Sequence, residues 1–551
     1  MFRPFLIAVF AAIAPIDGAG AGSAGDAARA TTAEPTAGAR IRADVAFLAD
    51  DARAGREAGT PGYDAAARYV AERFRQIGLA PAGDDGTYLQ DAPLVSSKRV
   101  VESGRFVLID SDGRERVLEN QVDFFAARTA YAAFFDVTAP LVFAGYGVVD
   151  PRKDYDDYRG IDARGKIVLA LSGAPANFST EEAAYHRSEA AKRRAAEERG
   201  AVAVVTLPTQ ASAKRFPWAR LRQFIAAERM AVAGGAPPLE AGAVMSVEGA
   251  ARLFQGERRT YAQIAEAVAN DPKTAPGSFA LTASARISGA STIKPVKTAN
   301  VVGFIKGADP ALGREVVVLT AHLDHVGVAD RAIAANSEDE PDRINNGALD
   351  NAIGVAMLIE AARALKSGPP PRRSVVFAAL TAEEKGLVGA AYYAKNPPKG
   401  LETMVANVNL DMPLVLFPFT DVIAFGAERS SLGDDVAAIA RDMSLGVIPD
   451  PIPQLSIFTR SDHYRFVLEG VPSVFLFVGF GGGGEATFGD FMQNHYHRPS
   501  DEIDLPIDYV AAARFAELNR RLARRIADAD AAPQWNDGDL FGALAQKRAA
   551  P

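Results

Sequence analysis

The chain has 551 residues, 48% of them hydrophobic and 23% charged, a composition that excludes disordered and collagen-like proteins and leaves room for two globular units with tails. A net charge of −8 without any basic stripe interleaved with aromatics excludes a nucleic-acid partner. Cysteine is absent, which excludes disulfides and thiolate chemistry and restricts any metal site to oxygen and imidazole ligands.

The chain begins "MFRPFLIAVFAAIAPIDGAGAGSAG", with Arg3, an apolar run from Phe5 to Ala14, and small residues around Ala19 to Ala21. That is the layout of a secretory signal peptide, assigned to 1–21. The run is shorter than the roughly 20 residues of a membrane span, and no later segment is long and apolar enough. The expectation is therefore an exported protein, periplasmic or secreted, without stable membrane association after cleavage. Residues 22–40 are small and polar and read as a flexible linker.

Residues 41–138 form the N-terminal part of the main domain, with apolar spacing that predicts a helix from Tyr63 to Leu79 closing near Gly78. Residues 139–286 alternate short β-rich runs with Gly and Asp turns, add a charged helix over Glu181 to Arg199, and continue in "GAVAVVTL". This segment reads as an inserted β-rich module with a structural or substrate-screening role. After Asn300 the texture becomes strand, loop, helix: "REVVVLTAHLDHVG", "NAIGVAMLIEAARALKSG", "RSVVFAAL", "ANVNLDM" and "VPSVFLFVG". It predicts an α/β domain over 287–530 whose mostly parallel mixed sheet is sandwiched by helices. Within it, the glycine-rich stretch 479–491 reads as a lid or a flexible connector. Residues 531–551 read as a tail that frays or docks as a short helix.

Open parallel sheets bind ligands outside the carboxyl ends of their strands. Those ends carry His322 and Asp324 in "TAHLDH", Asp350 in "NNGALDNA", Glu383 and Glu384 in "TAEEKG", Asp411 in "NLDM" and His497 in "NHYHRPSDE". The chain has only 6 histidines, and all but His186 fall between 322 and 497. Carboxylates gathered at one rim repel one another unless a cation sits among them. Imidazole with carboxylate and no thiolate suits Zn²⁺, with Mn²⁺ or Co²⁺ as alternatives, and two ions about 3.5 to 4 Å apart would clamp a bridging hydroxide and a substrate carbonyl. Of two adjacent glutamates on a turn, one can bind metal while the other acts as general base. Glu383 is assigned as base and Glu384 as ligand, an order the sequence leaves open. His325, His463 and His495 read as hydrogen-bonding residues rather than ligands.

From Ile41 to "YHRPSDE" these ordered motifs resemble the co-catalytic dizinc aminopeptidases of the twenty-eighth metallopeptidase family. The resemblance implies that family's zinc aminopeptidase/phosphorylase-hydrolase type of sheet and two Zn²⁺ per chain. It further implies that His322 and Asp411 hold one zinc, Glu384 and His497 the other, that Asp350 bridges both, that Glu383 is the base, and that Asp324 orients the His322 imidazole. Segment 139–286 resembles the protease-associated domain inserted in members of the family, through "FAGYGV", "YDDYRGIDARGKIVLAL" and "GAVAVVTL". "RSDHYRF", residues 460–466, is similar to a segment lining the family's active site. Some relatives place an oxyanion-binding Tyr near there; in this chain Arg460 is the expected substitute, with Asp462 and His463 in support. The function implied is exported hydrolysis of the N-terminal peptide bond of peptide substrates. The alternatives are a related carboxypeptidase or glutaminyl cyclase, or a non-catalytic receptor-like protein on the same fold.

Overall fold

Runs of Val, Leu, Ile and Phe bounded by Gly, Asp and Pro turns form the strands of a mixed sheet in the computed structural model, which describes residues 35–225, 227–235, 239–273, 276–329 and 342–549. Helices α1 (Ala37–Leu48) and α2 (Pro61–Ile77) lead into β1 (Leu89–Ile109). Then come β2 (Phe134–Phe143), β3 (Ile167–Leu171), α3 (Thr180–Arg187), β4 (Ala203–Leu207) and β5 (Gly242–Met245). The long strand β6 (Phe279–Ile305) returns the chain to the first half of the sheet. After it strands and helices alternate: β7 (Glu315–His322), α4 (Ile353–Ser367), β8 (Ser374–Leu380), β9 (Thr403–Asn409), β10 (Asp421–Phe425) and β11 (Ser473–Val478). Three helices complete the described residues, α5 (Gly484–Asn494), α6 (Tyr509–Asp528) and α7 (Leu540–Ala549).

The strand order in this half is β10–β11–β9–β7–β8–β6. Strands β11, β9, β7 and β8 run parallel, flanked by antiparallel β10 and β6. Every residue of β8 and β11 is buried, as a sheet covered on both faces requires. Helices α1, α4 and α6 pack together over one face. On the other face Tyr393, Leu401 and Phe466 cluster with Val316, Val318 and Val376, each fully buried side chain of this size contributing about 1.5–3 kcal/mol. Parallel pairing puts the carboxyl ends of β7, β8 and β9 on one rim, with His322 opposite Leu380 and Thr320 opposite Asn409.

Local chemistry accounts for several element ends. Thr60 caps the start of α2, and Gly78, at φ 80, closes it next to the predicted end. The charged helix expected over 181–199 is two helices: Ser188 is extended, which ends α3, and its hydroxyl caps the helix Glu189–Glu197. The glycine-rich stretch is neither open connector nor loose lid, because most of it is helical in α5, anchored by the fully buried Phe491. The tail docks: Leu540 and Phe541 of α7 are buried in the main core.

Segment 139–286 contains more helix than a β-rich module. Strands β2, β3, β4 and β5 pair in parallel, with α3, Glu189–Glu197, Val247–Leu253 and Tyr261–Asn270 between and after them. Its expected limits fall inside strands. Residue 139 lies in β2 and residue 286 in β6, where Arg286 pairs with Thr138, and β6 pairs with β1 from Ser284 opposite Ile109 to Val301 opposite Leu89. The expected signal peptide and residues 22–34 of the linker lie outside the described residues, while Ala37 to Arg40 belong to the first turn of α1. Among the described residues no helix is long and apolar enough to cross a membrane.

Candidate metal centre

Three strands of the parallel core lead into polar side chains of one cluster. His322 is the last residue of β7, Glu383 and Glu384 follow β8, and Asp411 follows β9. Asp350 stands in the turn before α4, and His497 in the segment after α5. Three of these turns hold a non-glycine residue in the left-handed region, Ala382 at φ 54, Met412 at φ 39 and His497 at φ 55, a strain that concentrates at functional sites. At Gly347 (φ 57) a Cβ would lie 2.2 Å from the Asp350 carbonyl oxygen and 2.6 Å from the His325 ring, so only glycine fits there.

The ring nitrogen Nε2 of His322 lies 3.3 Å from Asp350 Oδ1 and 3.1 Å from Asp411 Oδ1. On the other side of Asp350, Nε2 of His497 lies 3.3 Å from Asp350 Oδ2 and 3.2 Å from Glu384 Oε2. Two ligands of a tetrahedral zinc, with bonds of about 2.0–2.1 Å, stand about 3.3 Å apart. All four contacts fit that edge, and the donor set of imidazole and carboxylate fits the metal. His325 differs: its Nδ1 is 2.8 Å from Glu384 Oε1, a hydrogen-bond distance, and 3.9 Å from Asp350 Oδ2. It is placed to orient Glu384 through that hydrogen bond, within the group His325, Asp350, Glu384 and His497 that could hold an ion.

The surrounding groups fix these ligands. Asp501 accepts from the backbone N–H of Leu349 (2.9 Å) and Asp350 (3.0 Å), and so presents the Asp350 turn. Asn351 spans the rim, donating to Leu410 O at 3.0 Å and accepting from Met412 N at 3.1 Å. Ser461 donates to Asp411 Oδ2 and accepts from Asn409 at 2.7 Å, while Asn409 accepts from Thr320 at 2.6 Å. Beneath the site the fully buried guanidinium of Arg56 donates to the carbonyls of Leu48 (2.7 Å), Asn346 (2.5 Å), Gly347 (3.0 Å) and Leu323 (3.1 Å).

Asp324 is placed differently from its expected role. Nδ1 of His322 faces the Asp324 backbone carbonyl at 3.0 Å, whereas the Asp324 carboxylate accepts from the N–H of Glu383 (3.0 Å) and Glu384 (3.3 Å). The Asp324 side chain thus lies against the glutamate turn. Asp462 and His463 are fully buried behind the site.

The electrostatics follow from this crowding. Burial opposes charge on His322, but Asp411 and Asp350 outweigh it and raise its imidazole well above the ordinary value. His497 is likewise opposed by burial, yet Glu384 and Asp350 lift it to about 10. Burial and the charge of Asp350 push Glu384 up, but His497 and His325 hold it at about 2. Glu383 has no such partner: burial, reinforced by Glu384 and Asp411 against the opposing charge of His322, pushes its carboxyl well above the usual range.

His322, Asp350, Glu383, Glu384, Asp411, Arg460 and His497 line one cavity, whose apolar wall includes Phe475, Phe477, Phe488 and Met492. Tyr496, also in that cavity, was missed by sequence reasoning. Its ring stacks on His497 at 3.9 Å, and burial with the charges of Asp350 and Glu384 keeps its phenol protonated. Its signal was its place directly before His497.

Fold and site together define a mixed α/β protein with carboxylate–imidazole clusters able to hold metal at the carboxyl edge of its sheet. Residues 300–523 match the model of Peptidase family M28. A probable zinc metalloprotease of Leptosphaeria maculans is 36% identical over 114 residues, 20% of this chain and 24% of its own length. Aminopeptidase YwaD of Bacillus subtilis is 33% identical over 114 residues, 20% of this chain and 21% of its own. The chain thus matches less than a quarter of either relative's length. Among solved structures, the aminopeptidase from Aneurinibacillus sp. strain AM-1 aligns over 89% of this chain and 93% of its own, at 20% identity and a TM-score of 0.48.

Proposed function

We propose that the protein is an exported metallo-aminopeptidase that uses two zinc ions to hydrolyse the N-terminal peptide bond of peptides. The observation that carries this reading is the carboxylate of Asp350, which faces His322 with one oxygen and His497 with the other, beside a glutamate that belongs to neither ligand group. His322, Asp350 and Asp411 would hold one ion, and His497, Asp350 and Glu384 the other. Zinc supplies Lewis acidity there, polarising the scissile carbonyl and acidifying water.

The chain's own residues handle the protons. Glu383, a carboxylate beside the ligand groups and a member of neither, takes a proton from the attacking water and returns it to the leaving amine. Tyr496 and Arg460 donate to the carbonyl oxygen as it gains negative charge. The apolar wall receives the first side chain of the substrate and keeps bulk water from the reacting atoms. Export rests on the pattern from Arg3 to Ala21.

The test is hydrolysis of leucine 4-nitroanilide by purified protein as isolated, after chelation, and after zinc is restored. Activity lost on chelation and recovered with zinc is expected. Glu383→Gln should keep its metal and lose roughly 10²–10⁴-fold in kcat. Turnover indifferent to chelation, or full activity in Glu383→Gln, would remove the proposal.

A further inference from the structure

A second cleft opens at the carboxyl ends of β3, β4 and β5, the edge of a parallel sheet at which ligands bind. Ser172, Thr206 and Ser246 mark the strand ends, and Arg187, Arg215 and Trp218 project into the cleft from the chain around it. Glu248 is the one acid among its described lining residues and sits exposed on the rim.

Two arginines line this one cleft. Some partly buried arginines of the same half meet carboxylates, Arg152 with Asp150 and Glu182, Arg193 with Glu189, Arg199 with Asp156, and others, Arg99 and Arg128, meet backbone or hydroxyl oxygens. Among the described residues neither Arg187 nor Arg215 has such a partner within ion-pair distance. Arg187 is half-buried at the end of α3 and donates from Nη2 to Ser456 Oγ, leaving its remaining N–H groups without an acceptor among the described residues. Burial, and after it the charge of Arg215, push its guanidinium below the ordinary value, so the two cations feel each other across the cleft. Like charges held together in a partly desolvated place are unfavourable until an anion joins them.

Ser456 stands between this cleft and the metal centre. Its neighbours Leu455 and Ile457 line the catalytic cavity, as does Arg460 a turn further on. The turn over 455–457 is thus a wall with the catalytic cavity on one side and the Arg187 guanidinium on the other.

We propose that Arg187 and Arg215 bind a carboxylate at the far end of the peptide whose N-terminus occupies the catalytic cavity, so that the two halves of the chain select short peptides with an anionic end. The inference rests on the aminopeptidase reading and adds a substrate class to it. Guanidinium groups suit a carboxylate because their planar donors engage both oxygens.

The experiment compares kcat/KM for the peptides Leu-Gly to Leu-Gly-Gly-Gly-Gly-Gly as free acids and as C-terminal amides, with one amide peptide that ends in aspartate to present a side-chain carboxylate. At the length that reaches the cleft, the free acid should be preferred about tenfold, the weight of one hydrogen bond to a charged group. In Arg215→Gln and Arg187→Gln the acid-to-amide ratio should fall toward one. Because Arg215 is exposed, its variant keeps the test valid should Arg187→Gln fail to fold. A gain for the aspartate-ended amide would identify side-chain carboxylates as a second source for the same cleft. An acid-to-amide ratio of one at every length, or a ratio unchanged in both variants, would overturn the proposal. Leucine 4-nitroanilide, too short to reach the cleft, reports separately on the catalytic reading. Should it be inert, titrating Trp218 fluorescence in a Trp535→Phe background with tetraglycine and its amide decides the cleft by itself. A change specific to the acid and lost in Arg215→Gln supports the site, and no change overturns it.

Discussion

Replacing Asp324 by asparagine separates two roles for a buried carboxylate. It is fully buried, and burial lifts its carboxyl to about 6. Its oxygens accept from the N–H of Glu383 at 3.0 Å and of Glu384 at 3.3 Å. An asparagine can accept only one of these bonds and turns an N–H toward the other. The loss is one charge-assisted hydrogen bond, about 1.5–3 kcal/mol. Spent on displacing the glutamate turn, that energy lowers kcat by about 10- to 100-fold. The assay is steady-state hydrolysis of leucine 4-nitroanilide at saturating zinc, with bound zinc measured on the same sample. The expected result is a kcat loss that added zinc does not repair, in a variant that keeps its metal. If Asp324 served mainly to orient His322, Asp324→Asn would lose zinc and recover full kcat when zinc is raised. That outcome would refute the reasoning.

Three further outcomes follow from named contacts. Arg56→Met strips four buried carbonyls of their donor and should destabilise the fold by about 4 kcal/mol, read from the urea midpoint at constant m-value. In the half around α3, burial opposes charge on Asp150, but His186 and Arg152 hold its carboxyl at about 2; on Glu182, Lys153 and Arg152 outweigh burial to the same value. Both folded values lie below the ordinary ones, so the stabilisation, about 2–3 kcal/mol each, is complete above about pH 5 and is lost as pH falls toward 2; Asp150→Asn should flatten an acid titration followed by Trp218 fluorescence. The wall of Phe475, Phe477, Phe488 and Met492 should favour leucine and phenylalanine anilides over the aspartate anilide by at least about tenfold in kcat/KM, since each buried apolar side chain contributes about 1.5–3 kcal/mol.

The parallel strands of the second half were legible because buried parallel strands leave continuous apolar runs, and the rule for their carboxyl ends pointed to His322, Asp324, Asp350, Glu383, Glu384, Asp411 and His497 before any geometry, a set that only the family resemblance divided into ligands, base and supporting residue. What was hidden depends on contacts across the chain. His325 lies three residues after His322, and nothing local says that its ring meets Glu384 from beyond β8 at 2.8 Å. Arg56 and Asp501 act on backbone groups some 290 and 150 residues away in sequence, which no motif encodes. Helix α5 escaped notice because glycine disfavours helices, and the burial of Phe491 overrides that preference. The limits placed at 139 and 286 followed a change of composition, while hydrogen bonding continues through both positions in β2 and β6.

The central claim is that two zinc ions flank the carboxylate of Asp350. Anomalous diffraction at the zinc absorption edge, from crystals of the zinc-loaded protein, tests it most directly. The account predicts two peaks, one among His322, Asp350 and Asp411 and one among Asp350, Glu384 and His497, with His325 bound to Glu384 and not to metal. A single peak, or peaks that leave Asp350 uncoordinated, would contradict it.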